Sequence, residues 1–168
     1  VPSFSSSMSL RIIATGGTFD KQYDPLTGQL VFGDSAIPSA LARARITVPC
    51  EFEPLMALDS LDMLDSHRQQ ILAACERSNE RRIVIVHGTD TLRETAIVLG
   101  QAKLSKTIVL TGAMVPYRID ESDALFNLGF ACAAATLCEP GVYVAMNAQV
   151  FPWHAVHKNR SAGVFEAD

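Results

Sequence analysis

Four short runs dense in β-branched and apolar residues punctuate the chain: Leu10–Ala14, Ile83–His87, Thr107–Leu110 and Val142–Met146, with a fifth expected near Glu51–Met56. Amphipathic stretches separate most of them. In Ser66–Arg77, Ile71, Leu72 and Cys75 share one face at helical spacing, and Ser66 with Gln69 has the form of a capping box. Thr91 and Glu94 form a second such box ahead of Ala96, Ile97 and Leu99. A third helix is predicted from about Ser122 to Leu137, where Pro140 and Gly141 stop it. Strands alternating with helices predict an α/β fold, an open and mostly parallel sheet with helices on both faces and a ligand site at the carboxyl edge of the strands. The glycine-bounded segment Asp20–Gly33, with Tyr23, Asp24-Pro25 and Gly28, fits no long regular element. It reads either as a mobile active-site lid or as an ordinary hairpin. Residues 1–9, rich in serine, are expected to form a loose tail before a single domain over 10–168.

Composition narrows the classes. The apolar fraction of 48% against 19% charged residues suits a sizeable core, and a net charge of -4 without a basic stretch argues against nucleic acid as a partner. No apolar run approaches the roughly 20 residues that cross a bilayer, and the first residues lack the charged and apolar regions of a secretory signal. A soluble, cytoplasmic protein is expected. Cys50, Cys75, Cys132 and Cys138 form no CxxC pair and read as reduced thiols.

Three of the strands run into small-residue turns of one type: Thr15-Gly16-Gly17-Thr18, His87-Gly88-Thr89-Asp90-Thr91 and Thr111-Gly112-Ala113-Met114. In a parallel sheet these turns share one edge, so their threonines converge. Each alone is equally readable as a helix cap or a common turn. In the second, however, capping is assigned to Thr91 with Glu94, which leaves Thr89 and Asp90 without that role. Glycines there let a ligand approach the backbone, whose N–H groups can hold a carboxylate or an oxyanion. A threonine hydroxyl becomes nucleophilic when a base takes its proton, and lysine can be that base. Lys103 and Lys106 flank a strand start and read as solvated, whereas Lys158 follows the last strand and an aromatic turn, Phe151-Pro152-Trp153. Lys158 is therefore the candidate.

Ala14–Phe19 (ATGGTF), Val86–Thr91 (VHGTDT) followed by Glu94-Thr95, Thr111–Pro116 (TGAMVP), Phe126-Asn127-Leu128 and Val156–Lys158 resemble the successive motifs of the bacterial-type L-asparaginase family. The likeness runs from Leu10 to Lys158 and is to the larger amino-terminal domain of that family; the usual smaller carboxyl-terminal domain has no counterpart in these residues. The resemblance implies hydrolysis of L-asparagine to aspartate and ammonia by threonine-nucleophile acyl transfer, with no metal and no organic cofactor. It implies that Thr18 is the first nucleophile, with Tyr23 as the lid tyrosine that assists it. Thr89, Asp90 and Lys158 then match a second cluster in which lysine and threonine act on the amide and the aspartate holds the substrate's ammonium. Ser60 matches a serine that binds the substrate carboxylate, and Gly17, Gly88 and Ala113 supply backbone around the substrate. Leu61 departs from the pattern, standing where several relatives have glutamine. A homo-oligomer is implied as well.

Other readings rest on less. His154 and His157, with His87, suggest a metal site only weakly, because no helical spacing or acidic partner accompanies them. Neither GxSxG nor GxGxxG occurs. Asn159-Arg160-Ser161 has the form of a glycosylation site and is read as chance. Two alternatives remain for function: a non-catalytic amino-acid-binding module and an amidotransferase component. Both threonines with Asp90 and Lys158 argue against the first, since a binder needs no nucleophile.

Overall fold

In the computed structural model, which describes residues 8–168, the apolar runs become the strands of one central sheet. Its members are β1 (Leu10–Gly16), β4 (Cys50–Leu58), β5 (Arg82–Val86), β6 (Thr107–Thr111), β7 (Gly141–Met146) and β8 (Gln149–Pro152). The order is β4-β1-β5-β6-β7-β8, with every pairing parallel except β7–β8. β5 and β6 are buried on both faces, which is why they read as continuous rather than alternating apolar runs. The tail expected over residues 1–9 lies for the most part outside the described residues.

Helices cover both faces, as expected. α2 (Asp65–Arg77) and α3 (Leu92–Gln101) pack Ile71, Cys75, Ala96 and Leu99 against Ile83, Ile85 and Ile108. On the other face α1 (Ile37–Arg43) and α4 (Ala124–Leu137) set Ile37, Ala40, Leu128 and Ala131 against Ile12, Val84 and Val109. Successive residues of β5 therefore serve opposite cores, as strand geometry requires. Beside the main sheet lie two hairpins, β2 (Lys21–Asp24) with β3 (Gln29–Phe32) and β9 (Val156–Asn159) with β10 (Val164–Ala167). The first is the form taken by the glycine-bounded segment.

Several local expectations need correction. α2 is not capped by Ser66 and Gln69; it begins one residue earlier, and His67 Nδ1 accepts the Leu64 N–H at 2.9 Å. Thr91 does occupy the N-cap position of α3, but its side chain makes no cap bond there. Phe151 and Pro152 belong to an antiparallel strand rather than a turn, because β8 returns to pair with β7. Lys106 is not solvated: its Nζ donates to the Cys75 and Ser78 carbonyls at 2.6 and 2.5 Å, satisfying acceptors that the end of α2 leaves over.

β5 hands over to α3 through a fully buried histidine. His87 Nδ1 lies 2.8 Å from the Gly88 carbonyl, which can only accept, so Nδ1 carries the proton and Nε2 accepts from Thr95 Oγ1 at 2.8 Å. Burial pushes this imidazole down from 6.5 to about 4, against the Gly88 bond and with help from the Arg68 charge. The unfolded chain thus gains a proton at His87 as pH falls through 6.5 while the folded chain does not until about 4. The stability held by the neutral ring is complete above 6.5 and declines through that window, by up to roughly 3 kcal/mol. An NMR titration should find the His87 ring neutral down to about pH 5, and a midpoint near 6.5 would contradict this burial.

The far end of α3 rests on the protein's one tryptophan. A Cβ at Gly100 would fall 2.2 Å from Trp153 Cδ2, so the indole occupies the space an alanine needs. Gly100→Ala gains about 1 kcal/mol of helix propensity but must displace a packed ring at a cost of about 1–3 kcal/mol. Chemical denaturation should show a net loss of stability together with altered Trp153 fluorescence.

Candidate active site

The site grows from turns at the carboxyl edge of β1, β4, β5 and β6. Gly17 follows β1 at φ 76°, and a Cβ on it would lie 2.4 Å from the Cα of Gly88, so the two turns touch backbone to backbone. A Cβ on Gly88 would in turn sit 2.6 Å from Ser60 Cβ and Oγ. Three segments far apart in sequence are thus stacked, with only the small Ser60 side chain at the second contact. Ser60, 1% exposed, lies in the short 3-10 turn Ser60–Asp62, where Asp59 Oδ1 accepts the Leu61 N–H. Thr91 ties this turn to α3: its Oγ1 donates to the Ser60 carbonyl at 2.7 Å, and its N–H to Ser60 Oγ at 3.3 Å.

The Thr91 hydroxyl therefore serves the Ser60 turn rather than the helix, and capping by Thr91 is not what leaves Thr89 and Asp90 available. Thr89 and Asp90 make no cap bond because both face Lys158, whose Nζ is 2.8 Å from Thr89 Oγ1 and 2.9 Å from Asp90 Oδ1. Lys158 stands on β9, its side chain 12% exposed. Val156 and Phe165 anchor that hairpin in the core beside α3. Arg160, a residue that sequence reasoning noticed only within a chance glycosylation triplet, also reaches Asp90. Its Nη1 is 2.9 Å from Oδ1 and its Nη2 3.2 Å from the carbonyl. Arg160 stands in the turn just past β9, where local spacing carries no signal of a contact with Asp90.

Ala113 is buried after β6, and the next two amides are taken: Asp123 accepts the N–H groups of Met114 and Val115. Asn127 on α4 donates to the Gly112 carbonyl at 2.9 Å, so this asparagine holds the turn in place. Thr18 opens the short 3-10 turn Thr18–Asp20 directly after Gly17, and its hydroxyl has no partner among the described residues. Tyr23 stands on β2, 60% exposed and outside the cluster. The structure thus brings Thr89, Asp90 and Lys158 into contact, sets Gly17, Gly88 and Ser60 against one another, and does not bring Tyr23 to them.

A cleft of about 190 Å³ is lined by Thr89, Asp90, Glu94, His157, Lys158 and Arg160, while a larger one of about 430 Å³ near Arg43 and Arg118 contains none of the cluster. Chemistry, not size, makes the first the candidate site. His157 is engaged by Asp168 at 2.8 Å, and among the described residues no group of three or more His, Cys, Asp or Glu could hold a metal ion. All four cysteines are free; burial pushes the Cys75 and Cys132 thiols up to about 12, the reverse of what a thiolate nucleophile requires. No helix of the described residues is long and apolar enough to cross a membrane.

Comparison with known proteins places the chain among relatives of one family. L-asparaginase 2 of Escherichia coli (strain K12) is 30% identical over 170 residues, covering 93% of this chain and 48% of that protein. A glutamyl-tRNA(Gln) amidotransferase component of Methanococcus maripaludis is 30% identical over 147 residues, covering 84% of this chain and 35% of that one. The solved thermostable L-asparaginase from Thermococcus kodakarensis superposes with a TM-score of 0.84 at 29% identity, over 95% of this chain and 51% of that chain. The chain spans about half the length of the curated relatives it matches or less. Residues 9–166 match the family described as Asparaginase, N-terminal, and the chain belongs to that family.

Proposed function

We propose that this chain hydrolyses the side-chain amide of L-asparagine, releasing aspartate and ammonia. The observation that carries the reading is the Thr89–Lys158–Asp90 cluster, with heavy-atom separations of 2.8 and 2.9 Å, set against the Gly17-Thr18 turn. Such separations suit proton transfer between hydroxyl and amine in either direction. In this mechanism Thr18 Oγ attacks the amide carbon and its proton leaves through Tyr23, which the hairpin carries inward when substrate binds. Backbone N–H groups of the Thr89-Asp90 turn and Ala113 hold the oxyanion. The Thr89–Lys158 pair delivers a proton to the amide nitrogen, the C–N bond breaks, ammonia leaves, and water hydrolyses the resulting ester to free aspartate. Ser60, with the Gly17 and Gly88 backbone, receives the α-carboxylate, and Asp90 the α-ammonium. No metal or organic cofactor enters. The four free thiols suit a cytoplasmic setting, and a homo-oligomer would supply further contacts to the substrate.

Relatives named as components of glutamyl-tRNA(Gln) amidotransferase favour a second reading, in which the same chemistry supplies ammonia to another protein. Ammonia release from free asparagine by the purified chain separates the two: turnover without any tRNA or partner protein supports the hydrolase, and dependence on them supports the alternative.

Thr18→Ala, Thr89→Ala and Lys158→Met should each lower kcat by roughly 10³-fold or more, about 4 kcal/mol of transition-state stabilisation, with thermal melting unchanged. Since Thr89 and Lys158 act as one unit, their double variant should be hardly worse than either. A cleanly folded Thr18→Ala retaining more than about a tenth of kcat would end its nucleophile role. Leu61, 64% exposed beside Ser60, offers no polar contact to a longer substrate, so asparagine should be preferred to glutamine. Equal kcat/KM for the two amides would contradict that expectation.

A further inference from the structure

Two cations converge on one oxygen of Asp90. Its Oδ1 accepts from the Lys158 ammonium and from the Arg160 guanidinium, each at 2.9 Å, while Oδ2 has no partner among the described residues. The second arm of the guanidinium holds the Asp90 main-chain carbonyl at 3.2 Å. A planar fork spans a carboxylate and the carbonyl of the same residue with donors in fixed geometry; the rotatable donors of a lysine ammonium fix no such orientation.

Arg160 is itself held in place. It opens the β9–β10 turn, where Asn159 Oδ1 accepts from Ser161 Oγ at 2.8 Å and from Ala162 N at 3.2 Å. Gly163, at φ 68°, donates to the Asn159 carbonyl at 2.8 Å, and Asn159 Nδ2 donates to Glu166 Oε1 at 3.0 Å. The triplet that resembles a glycosylation site is therefore the scaffold that presents Arg160 two residues beyond Lys158.

We infer that Arg160 is a positioning residue that fixes the Asp90 carboxylate, committing Oδ1 to the two cations and presenting Oδ2 to the α-ammonium of an amino-acid substrate. This rests on the proposed role of Asp90 toward that ammonium. With Arg160 absent, the carboxylate is free to turn about its side-chain bonds, and Lys158 can share both oxygens. The Arg160 side chain is 62% exposed, so its ion pair contributes little to folding and its removal spares the fold. Near the pair lie Arg93, Glu94 and His157, of which Arg93 and His157 are engaged by Asp168. They leave the Asp90 oxygens to Lys158 and Arg160.

The test compares asparagine with succinamate, the same amide without the α-ammonium, in the wild type, Arg160→Ala and Arg160→Lys. Both variants should raise KM for asparagine by roughly fivefold or more, with KM for succinamate within about twofold and kcat affected less. Added guanidinium should restore part of the loss in Arg160→Ala. An equal rise for both amides, no rise at all, or full rescue by lysine overturns the inference. Calorimetry with aspartate and succinate makes the same comparison without turnover: Arg160→Ala should weaken aspartate selectively. If the wild type binds aspartate but releases no ammonia from asparagine, the hydrolase reading fails while calorimetry still decides the role of Arg160. A wild type that does not prefer aspartate to succinate overturns it.

Discussion

The site depends on a contact between backbones. Strands in a sheet lie about 4.8 Å apart, so turns leaving neighbouring strands at one edge compete for the same space. Here the turns after β1 and β5 resolve the competition by having no Cβ at the contact. Gly17 lies against Gly88, and Gly88 against the buried Ser60. A side chain at either glycine would drive the turns apart and carry Thr18 and Thr89, the next residues along, with them. The same closeness lets Thr91 strap Ser60 to the start of α3 with two hydrogen bonds. Placement of the Thr18 and Thr89 side chains is thus inherited from main-chain packing, and main chain flexes less than side chains do.

Lys158 arrives by a different route, on a hairpin outside the central sheet, and its arrival has an electrostatic condition. An ammonium whose side chain is only 12% exposed needs hydrogen-bond acceptors and a counter-charge. Asp90 supplies the charge and Thr89 the hydroxyl, so the residues that solve the burial of Lys158 are the ones the proposed reaction uses. The hairpin is secured independently by Val156 and Phe165 in the core, which means the lysine is held by packing and does not rely on its ion pair for position.

The fold was legible wherever pattern and burial coincide. β1, β5, β6 and β7 are short apolar runs because both of their faces meet helices, and the three strand-to-turn motifs named the edge at which Gly17, Thr89 and Asp90 now lie. Capping was misread for one reason in both helices: a polar residue near a helix start was assigned a local partner when its actual partner was distant or different. Thr91 bonds Ser60, 31 residues away, and α2 is capped by a histidine ring, which the usual signals omit. Lys158, singled out by elimination, does lie against Thr89 and Asp90, although one step of that elimination failed, since Lys106 is tied to two carbonyls rather than solvated. Arg160 could not be weighed at all until the β9–β10 turn had brought it back to Asp90, because a contact across 70 positions leaves no trace in local spacing.

The β2–β3 hairpin is built with the opposite balance from the turn cluster. Its base is fastened: Asp20 accepts from Ser35 Oγ and the Ala36 N–H, and Lys21 Nζ reaches Asp59 Oδ2 at 2.6 Å. That bond, with the Leu61 N–H, holds the Asp59 carboxyl below its usual range. Its outer part is loosely held, with Tyr23 60%, Leu26 93% and Leu30 44% exposed. Segments with few buried apolar contacts open at low free-energy cost, whereas segments in the core open only with the whole protein. Movement in this hairpin is therefore expected to pivot about Asp20 and Lys21, and because Asp59 directly precedes Ser60, the pivot is fastened to the same turn that carries the serine.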